Sequence, residues 1–363
     1  MPSNYSITNM KNPEILKQEL TALKSAEPRL RNRDLAQRLN ISEAELLCLS
    51  LGDGVTLLEG DWKALLAGLK EMGYVMALTR NEYAVHERKG VYDNIQFYEG
   101  PANVGVAVNP DIDLRFFMHE WRFGLAVVMP RGKMEDLYSF QFFNSAGEAI
   151  HKVYSTPKSD LAAYHRLAEQ FKAPVQAMIE VSNQSQAPVV GRPDAAIDIP
   201  GFQQAWRDLE DTHDFYGLLK KFGVTRTQGL RLAPDGMARQ VDNEAVIRIL
   251  KAAAEQETPI MCFVHSPGCV QIHTGPVSNL QFYGDWYNVM DPEFNLHLDT
   301  QGIRQSWIVK KPTVDGMVTS LELFDEHGEL IVYFFGKRKP GIPEREEWRS
   351  IIEQTAGPAL SYG

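Results

Sequence analysis

Apolar residues follow two different periods along this chain. They recur every three or four positions over residues 14–23, 33–39 and 62–69, which predicts helices. The period then shortens to two, which predicts strands at residues 74–78, 96–98, 104–108, 113–118, 125–129, 137–143 and 149–154. Turn residues such as Asn109-Pro110 separate the strands. Helices followed by hairpin-linked strands predict an α+β domain with a large antiparallel sheet.

The same pattern occurs twice in the chain. The segment Asn94-Ile95-Gln96-Phe97-Tyr98 returns as Asn279-Leu280-Gln281-Phe282-Tyr283, and residues 30–155 align with residues 210–337. We therefore predict a tandem structural repeat in which each copy buries its own core. The predicted units are a first repeat (1–181), a linker (182–200) and a second repeat (201–363) that opens with a helix over residues 203–222.

Composition and charge narrow the class of protein. Of 363 residues, 44% are hydrophobic and 23% are charged, which is ordinary for a globular protein. The apolar runs are too short to cross a bilayer, so we expect no membrane insertion. Three scattered cysteines favour the reducing cytoplasm. A net charge of −10 argues against nucleic acid, but a local basic patch keeps DNA binding as a minor alternative: Lys310, Lys311, Lys337, Arg338 and Lys339.

Two local motifs suggest more specific functions, DNA binding and metal binding. Residues 34–46 resemble the first helix and turn of a helix-turn-helix DNA reader, but the following helix is acidic and apolar, which favours packing. His265, Cys269 and His273 have the spacing of a helical metal triad. Their flanking residues are strand-like and Pro267-Gly268 interrupts them, so we predict a structural role, unless a turn at Pro267-Gly268 brings two of them together.

The two copies differ in their histidines and cations. The aligned pairs are Arg115 with His297, His86 with Gln271 and His213 with Leu30. Any chemistry at His213 therefore belongs to one copy. Carboxylates stand next to His213 in the sequence and could hydrogen-bond its imidazole, as they do for metal-ligating histidines. From the residues alone, the alternative is a solvated histidine on a surface helix.

Five separated motifs carry a resemblance to a known family: residues 80–87, 113–117, 211–216, 268–272 and 319–324. Together with the duplication, they make nearly the whole chain similar to the cytoplasmic hemin-transport and hemin-degrading proteins of bacterial haem uptake. The resemblance implies that each half packs helices on a large antiparallel sheet. It also implies one haem in a cleft of the second half, approached by residues from the first half.

The resemblance assigns roles to individual residues. His213 matches the proximal ligand of the haem iron, and Arg115 matches the distal residue on the opposite haem face. Cations near the haem propionates are implied at Arg226, Lys311 and Arg338, and apolar contacts to the porphyrin at Phe117 and Phe263. Without the resemblance, Lys311 and Arg338 are also consistent with a solvated strand edge.

Some positions depart from the family pattern. Phe335-Gly336-Lys337-Arg338 replaces Tyr-Gly-Gln-Arg, and Tyr333 stands at a position that can hold glutamine, so we expect different polar contacts at that haem edge. Thr212 replaces the valine before the ligand. His86 has two interpretations, a weaker second haem site in the first copy or a packing role.

Two functions follow from the resemblance, and both need haem as the ligand or substrate. The first is a haem-binding protein of haem uptake and iron acquisition, which receives haem from an inner-membrane transporter and passes it to an accepting protein. The second is a haem-degrading enzyme in which Arg115 assists the chemistry. No flavin or nicotinamide motif is recognisable, so such an enzyme needs a partner reductase or an electron-donor site that the motifs do not reveal.

Overall fold

The computed structural model of this chain describes residues 12–28, 30–100, 103–182, 191–339 and 341–360. Within these ranges the helices are α1 (Pro13–Ala26), α2 (Asn32–Leu39), α3 (Glu43–Cys48), α4 (Trp62–Gly68), α5 (Leu161–Gln170), α6 (Ile199–Arg207), α7 (Asp214–Phe222), α8 (Arg226–Arg231), α9 (Ala245–Glu255) and α10 (Glu346–Thr355). Single 3₁₀ turns cover Leu69–Met72, Met118–Glu120, Asp194–Ala196 and Thr300–Gly302. In the described ranges, no helix has the length and apolar character required to span a membrane.

Eighteen strands are present in the described part of the chain. They are β1 (Val55–Leu58), β2 (Gly73–Arg80), β3 (Ala84–Val91), β4 (Ile95–Tyr98), β5 (Val104–Val108), β6 (Asp113–Phe117), β7 (Phe123–Arg131), β8 (Met134–Phe143), β9 (Ala149–Ser159), β10 (Ala238–Val241), β11 (Ile260–Ser266), β12 (Cys269–Gly275), β13 (Leu280–Tyr283), β14 (Trp286–Met290), β15 (Phe294–Asp299), β16 (Gln305–Thr313), β17 (Gly316–Phe324) and β18 (Leu330–Gly336). The predicted α+β class with antiparallel sheets is confirmed.

The strands form two nine-stranded sheets, and each sheet contains strands from both repeats. The first sheet has the order β1-β7-β8-β9-β2-β3-β15-β14-β13, and the second has the order β10-β16-β17-β18-β11-β12-β6-β5-β4. Each repeat therefore gives three hairpin-linked strands to the other repeat's sheet. The described hydrophobic clusters nevertheless agree with the expectation that each copy buries its own core, since their buried members come from one repeat each, apart from Ala84 and Cys269. The exchange of strands was not predicted, because hairpins fix which strands are neighbours but not which sheet edge a three-stranded unit joins.

The two sheets meet through a buried layer rich in histidine. His86 on β3 is 0% exposed and lies 4.9 Å, centroid to centroid, from the Phe294 ring. His151 on β9 bonds the hydroxyl of Thr79 at 2.8 Å through Nδ1 and the Tyr92 hydroxyl through Nε2. Burial holds the pKa of both imidazoles far below the usual value. These contacts support the packing interpretation of His86.

The helix-turn-helix-like segment packs against the protein. Asn40 adopts the left-handed conformation that ends α2, and the side chain of Ser42 caps α3 by accepting the backbone N–H of Glu45. Ala44, Leu46 and other α3 residues are buried. A buried second helix cannot enter a DNA groove, so the packing interpretation is confirmed.

The start of the second repeat differs from the predicted single helix over residues 203–222. It forms α6 and α7 with a break at residues 208–213. Asp211 produces part of this break, because its carboxylate accepts the backbone N–H of His213 at 2.8 Å. Residues 183–190 of the predicted linker lie outside the described residues, and its described end contains the Asp194–Ala196 turn and the start of α6.

Candidate functional site

Strand exchange brings residues of both repeats onto one face of the second sheet. On β11, Phe263 pairs with Tyr333 of β18, and His265 pairs with Val270 of β12, which in turn pairs with Arg115 of β6. Directly paired residues in antiparallel strands share a face, and residues two apart along a strand do so too. We call this surface the exchange face, defined by Arg115, Phe117, Phe263, His265, Lys311, Glu322 and Tyr333.

An aromatic plate lies at the centre of the exchange face. The rings of Phe263 and Tyr333 stack with centroids 4.7 Å apart and an interplanar angle of 12°. Phe335 meets Phe263 edge-on at 5.3 Å. Phe263 and Tyr333 are only partly buried, so the plate offers an apolar surface to a flat ligand.

Two cations and a carboxylate lie beside the plate. Glu322, fully buried, accepts from Lys311 Nζ at 2.6 Å and from Arg226 Nε at 2.8 Å. Burial raises the pKa of the Glu322 carboxyl, but the charges of Arg226 and Lys311 outweigh burial and hold that pKa well below its usual value. The three side chains together carry one net positive charge, which attracts an anionic ligand group.

Lys311 is 3% exposed in this arrangement, so it does not belong to a solvated strand edge and is not available to DNA phosphates. Its ammonium also lies 4.5 Å from the Phe215 ring centroid. Arg226, at the start of α8, contacts the rings of Phe215 and Tyr333 at 5.3 and 5.8 Å. Phe215 thereby links α7 to the cations of the sheet.

Helices α6, α7 and α8 cover only one end of the exchange face. Phe202, Trp206 and Phe215 pack with Trp307 and Val309 of β16, and no described residue of β11, β12 or β6 belongs to this helical cluster. His213 caps the start of α7, two residues before Phe215. His213 thus lies close in sequence to Phe215, whose ring contacts Lys311 and Arg226 beside the plate.

His213 is held by Asp211 and otherwise points into solvent. Its Nδ1 lies 2.6 Å from the Asp211 carboxylate, and its side chain is 90% exposed. The hydrogen bond favours the tautomer protonated on Nδ1, which leaves Nε2 free to bind a metal. The backbone N–H of His213 lowers the pKa of Asp211, and the charge of Arg338 adds to this effect. Arg338 therefore lies on the same side of the site.

Arg115 and Arg338 can donate further hydrogen bonds. Arg115 pairs with Asp113 and donates to the backbone oxygen of Leu114 at 3.0 Å, and its side chain is one-third exposed. One Nη atom of Arg338 is buried without a hydrogen-bond partner among the described residues. Phe117 shares the face of Arg115 and is partly exposed. Arg115, Phe117 and Lys311 thus share the face of the plate, Arg226 contacts the Tyr333 ring, and His213 and Arg338 both lie near Asp211.

The side chains of His265, Cys269 and His273 do not lie together in the structure. His265 pairs with Val270, so the pleat turns Cys269 and His273 to the opposite face. Cys269 contacts Thr79 in the layer between the sheets, and His273 stacks on Phe294 at 3.7 Å. In the described residues, no group of three or more metal-ligating side chains is arranged to hold an ion.

Sequence reasoning assigned no role at this face to His265 or Glu322, whereas it did expect a carboxylate partner for His213, which the structure gives as Asp211. Glu322 left a signal, because Ser320 and Glu322 alternate with apolar Leu321 and Leu323, so both polar residues had to share one sheet face. The ion pairs of Glu322 with cations 11 and 96 residues away become visible only in the fold.

The fold and the site define a two-repeat α+β protein with an apolar plate, a cationic margin and one exposed imidazole. The chain belongs to the family described as the Haemin-degrading HemS.ChuX domain, which matches residues 40–171 and 223–355. The two matched segments correspond to the two repeats.

Individual relatives agree with this assignment. The chain is 40% identical to the hemin transport protein HmuS of Yersinia pestis over 342 residues, which cover 93% of this chain and 96% of that protein. It is similar to the crystal structure of holo-PhuS, a heme-binding protein from Pseudomonas aeruginosa, with TM-score 0.92, 44% identity and coverage of 96% and 100%. The heme degrading enzyme ChuS of Escherichia coli O157:H7 gives TM-score 0.87, 34% identity and coverage of 95% and 100%.

Proposed function

We propose that this protein binds haem on the exchange face as part of haem uptake, with His213 as the proximal ligand of the iron. The observation that carries the proposal is the convergence of residues from both repeats on one aromatic plate beside an exposed imidazole. Family membership and the similarity to HmuS and PhuS point to the same ligand.

The residues of the site fit the chemistry of haem. Phe263, Tyr333 and Phe117 offer an apolar surface for the porphyrin ring. Arg226 and Lys311 carry net positive charge for a propionate, and the unpartnered Nη of Arg338 is a second donor for a carboxylate.

The two axial sides of the haem differ in this proposal. His213 supplies a neutral imidazole nitrogen from the helical side, and Asp211 holds the ring in the required tautomer. Arg115 approaches from the sheet and donates hydrogen bonds to a small ligand on that side. An exposed histidine held by one carboxylate can release its ligand, which suits a protein that passes haem on.

We also propose a cytoplasmic location, supported by the three free cysteines, all of them buried. In that compartment the protein receives haem from an inner-membrane transporter and delivers it to an accepting protein. The exposure of His213 at the margin of the site supports transfer by direct contact.

A haem titration followed by absorbance tests the proposal. We expect one haem per chain with an imidazole-ligated spectrum, and we expect His213→Ala to lose that spectrum and to bind more weakly by tenfold or more, on the order of effects seen at metal sites. His327→Ala, a change at an exposed histidine, is the matched control and should behave as the wild type. An unchanged spectrum and affinity in His213→Ala would show that the ligand assignment is wrong.

The second candidate function is oxidative opening of the haem ring. The family description and the similarity to ChuS favour it. The reaction consumes dioxygen and electrons from an external reductase and yields a linear tetrapyrrole and free iron. The test adds an electron donor in air, with catalase present, to the haem complex. Loss of the Soret band to a tetrapyrrole product supports the enzyme, whereas stable reduced haem that moves to an acceptor supports the carrier.

A further inference from the structure

His265 lies on the exchange face, in the same cross-strand row as Arg115. The row runs from β11 through Val270 of β12 to β6, which puts the two Cα atoms about 10 Å apart at ordinary strand spacing. Along β11, His265 is two residues from Phe263, and its ring lies 5.1 Å from the Tyr333 ring. The imidazole therefore extends the aromatic plate towards Arg115.

The imidazole of His265 has an unused nitrogen. Its Nε2 is buried and has no hydrogen-bond partner among the described residues. Leaving a buried polar atom unpaired is unfavourable, so an unpaired atom at a binding surface indicates a partner that arrives with the ligand. By contrast, both ring nitrogens of His151 are hydrogen-bonded.

Two other histidines with unpaired nitrogens lie elsewhere. His86 and His273 face the layer between the sheets, where both contact Phe294. Among these three histidines, only His265 lies on the exchange face. Burial and the charge of Arg226 lower the pKa of His265 to about 4, so its ring is neutral at pH 7 and can donate from one nitrogen.

We propose that His265 contacts the small ligand bound to haem iron on the sheet side and that, together with Arg115, it hydrogen-bonds that ligand. The inference rests on the proposed haem site and adds a second polar contact on the side opposite His213. Val270 lies between the two residues, so the ligand is held by two donors across an apolar strip. A neutral imidazole and a guanidinium would distinguish anionic ligands from neutral ones by charge and by hydrogen bonding.

Fluoride and azide binding to the ferric haem complex test this inference, because both anions are probes of hydrogen-bond donors near the iron. We expect His265→Leu to bind haem normally and to bind fluoride about tenfold more weakly. His265→Gln keeps an amide donor of similar reach and should recover part of the affinity. Arg115→Leu is the positive control, and the double variant should lose less than the sum of the single losses because both residues contact one ligand.

His297→Leu, which removes a half-buried histidine at the first-sheet position that corresponds to Arg115, is the matched histidine control and should leave fluoride binding unchanged. His265→Asn, polar but shorter, carries the same expectation as His265→Leu if the leucine variant folds poorly. Unchanged fluoride and azide affinities in folded His265 variants overturn the inference, and so does a wild-type complex that binds neither anion. Absence of a His213-dependent haem complex would instead reject the proposed function.

Discussion

The corresponding faces of the two sheets share a register but carry different side chains. On the exchange face, Phe263 pairs with Tyr333. At the same place in the first sheet, Leu78 pairs with Lys152. A stacked aromatic pair thus corresponds to an aliphatic residue beside a charged one. The first face offers no flat apolar surface at this place, although its backbone is built in the same way.

The buried charges are also rearranged. In the second repeat, Glu322 pairs with both Arg226 and Lys311, so the three side chains together retain one net positive charge. In the first repeat, Gln141 stands at the position of Glu322, and Lys152 pairs with Glu43 of α3, both more than nine-tenths buried. The charges of Lys152 and Glu43 cancel, and both side chains are buried. The pair stabilises the contact between α3 and the sheet.

The axial positions complete the difference between the repeats. Leu30 aligns with His213 and packs against the core of α1, α2 and α3. His297 stands in the register position of Arg115, and its Nδ1 is already bonded to the Asn288 side chain at 2.7 Å. Duplication thus provided two similar scaffolds, and in the described part of the chain only the second combines the proposed imidazole ligand with a stacked aromatic plate. We predict that haem binds to the second repeat alone.

The largest effect that we predict concerns pH and the layer that joins the two sheets. Burial lowers the pKa of His151 to about 3 and of His273 to about 4, and it lowers that of His86 strongly. In the unfolded chain these histidines take up protons below about pH 6.5, whereas the folded protein does not. Stability is therefore fully present above pH 6.5 and is lost as the pH falls towards 4.

Each such histidine removes about 1.4 kcal/mol per pH unit in that window, so three of them remove about 4 kcal/mol per pH unit. Urea denaturation at pH 7 and pH 5 measures this loss. His86→Leu should reduce the dependence of the unfolding free energy on pH by the contribution of one histidine. His327→Leu, at an exposed position, should leave that dependence unchanged. Equal slopes for wild type and His86→Leu would contradict the explanation.

A second prediction separates the two faces by stability. Lys152→Met leaves the Glu43 carboxylate buried without its partner, so we expect the free energy of unfolding to fall by about 3 kcal/mol. Haem affinity of the folded protein should not change, because the altered pair belongs to the first face. The exposed Lys172→Met, which breaks an ion pair on the surface, is the control and should cost less than 1 kcal/mol. A weaker haem complex in Lys152→Met would mean that the first face takes part in binding.

Much of the fold could be predicted from the hydrophobic pattern. The strand predicted at residues 104–108 coincides with β5, and helices α2 and α4 begin and end within one residue of their predicted bounds. Strand β3 was missed because its His86-Glu87-Arg88-Lys89 stretch has no period of two. Its polar residues lie on both faces of the strand, some in the layer between the sheets and some on the opposite face of the first sheet. Polar side chains on both faces hide the alternation of apolar and polar positions.

The site required a different kind of information. Motifs identified His213 and Arg115 through resemblance, but periodicity does not indicate that β6 joins the sheet of the other repeat. The exchange brings Arg115 opposite Val270, 155 positions further along the chain. Local sequence carries no signal for such a pairing, because each hairpin-linked unit has the same internal pattern wherever it docks.

The smallest predicted effect compares the two residues in the same register position. Arg115→Ala should keep haem binding, because the ring and the His213 contact remain, but it should change the ligand on the sheet side and weaken fluoride binding about tenfold. His297→Ala should change neither, since its imidazole is bonded to Asn288 in the other repeat. Absorbance spectra of the ferric complexes with and without fluoride measure both variants. If His297→Ala shifted the haem spectrum, the first face would hold haem as well, and the two repeats would differ in affinity and not in kind.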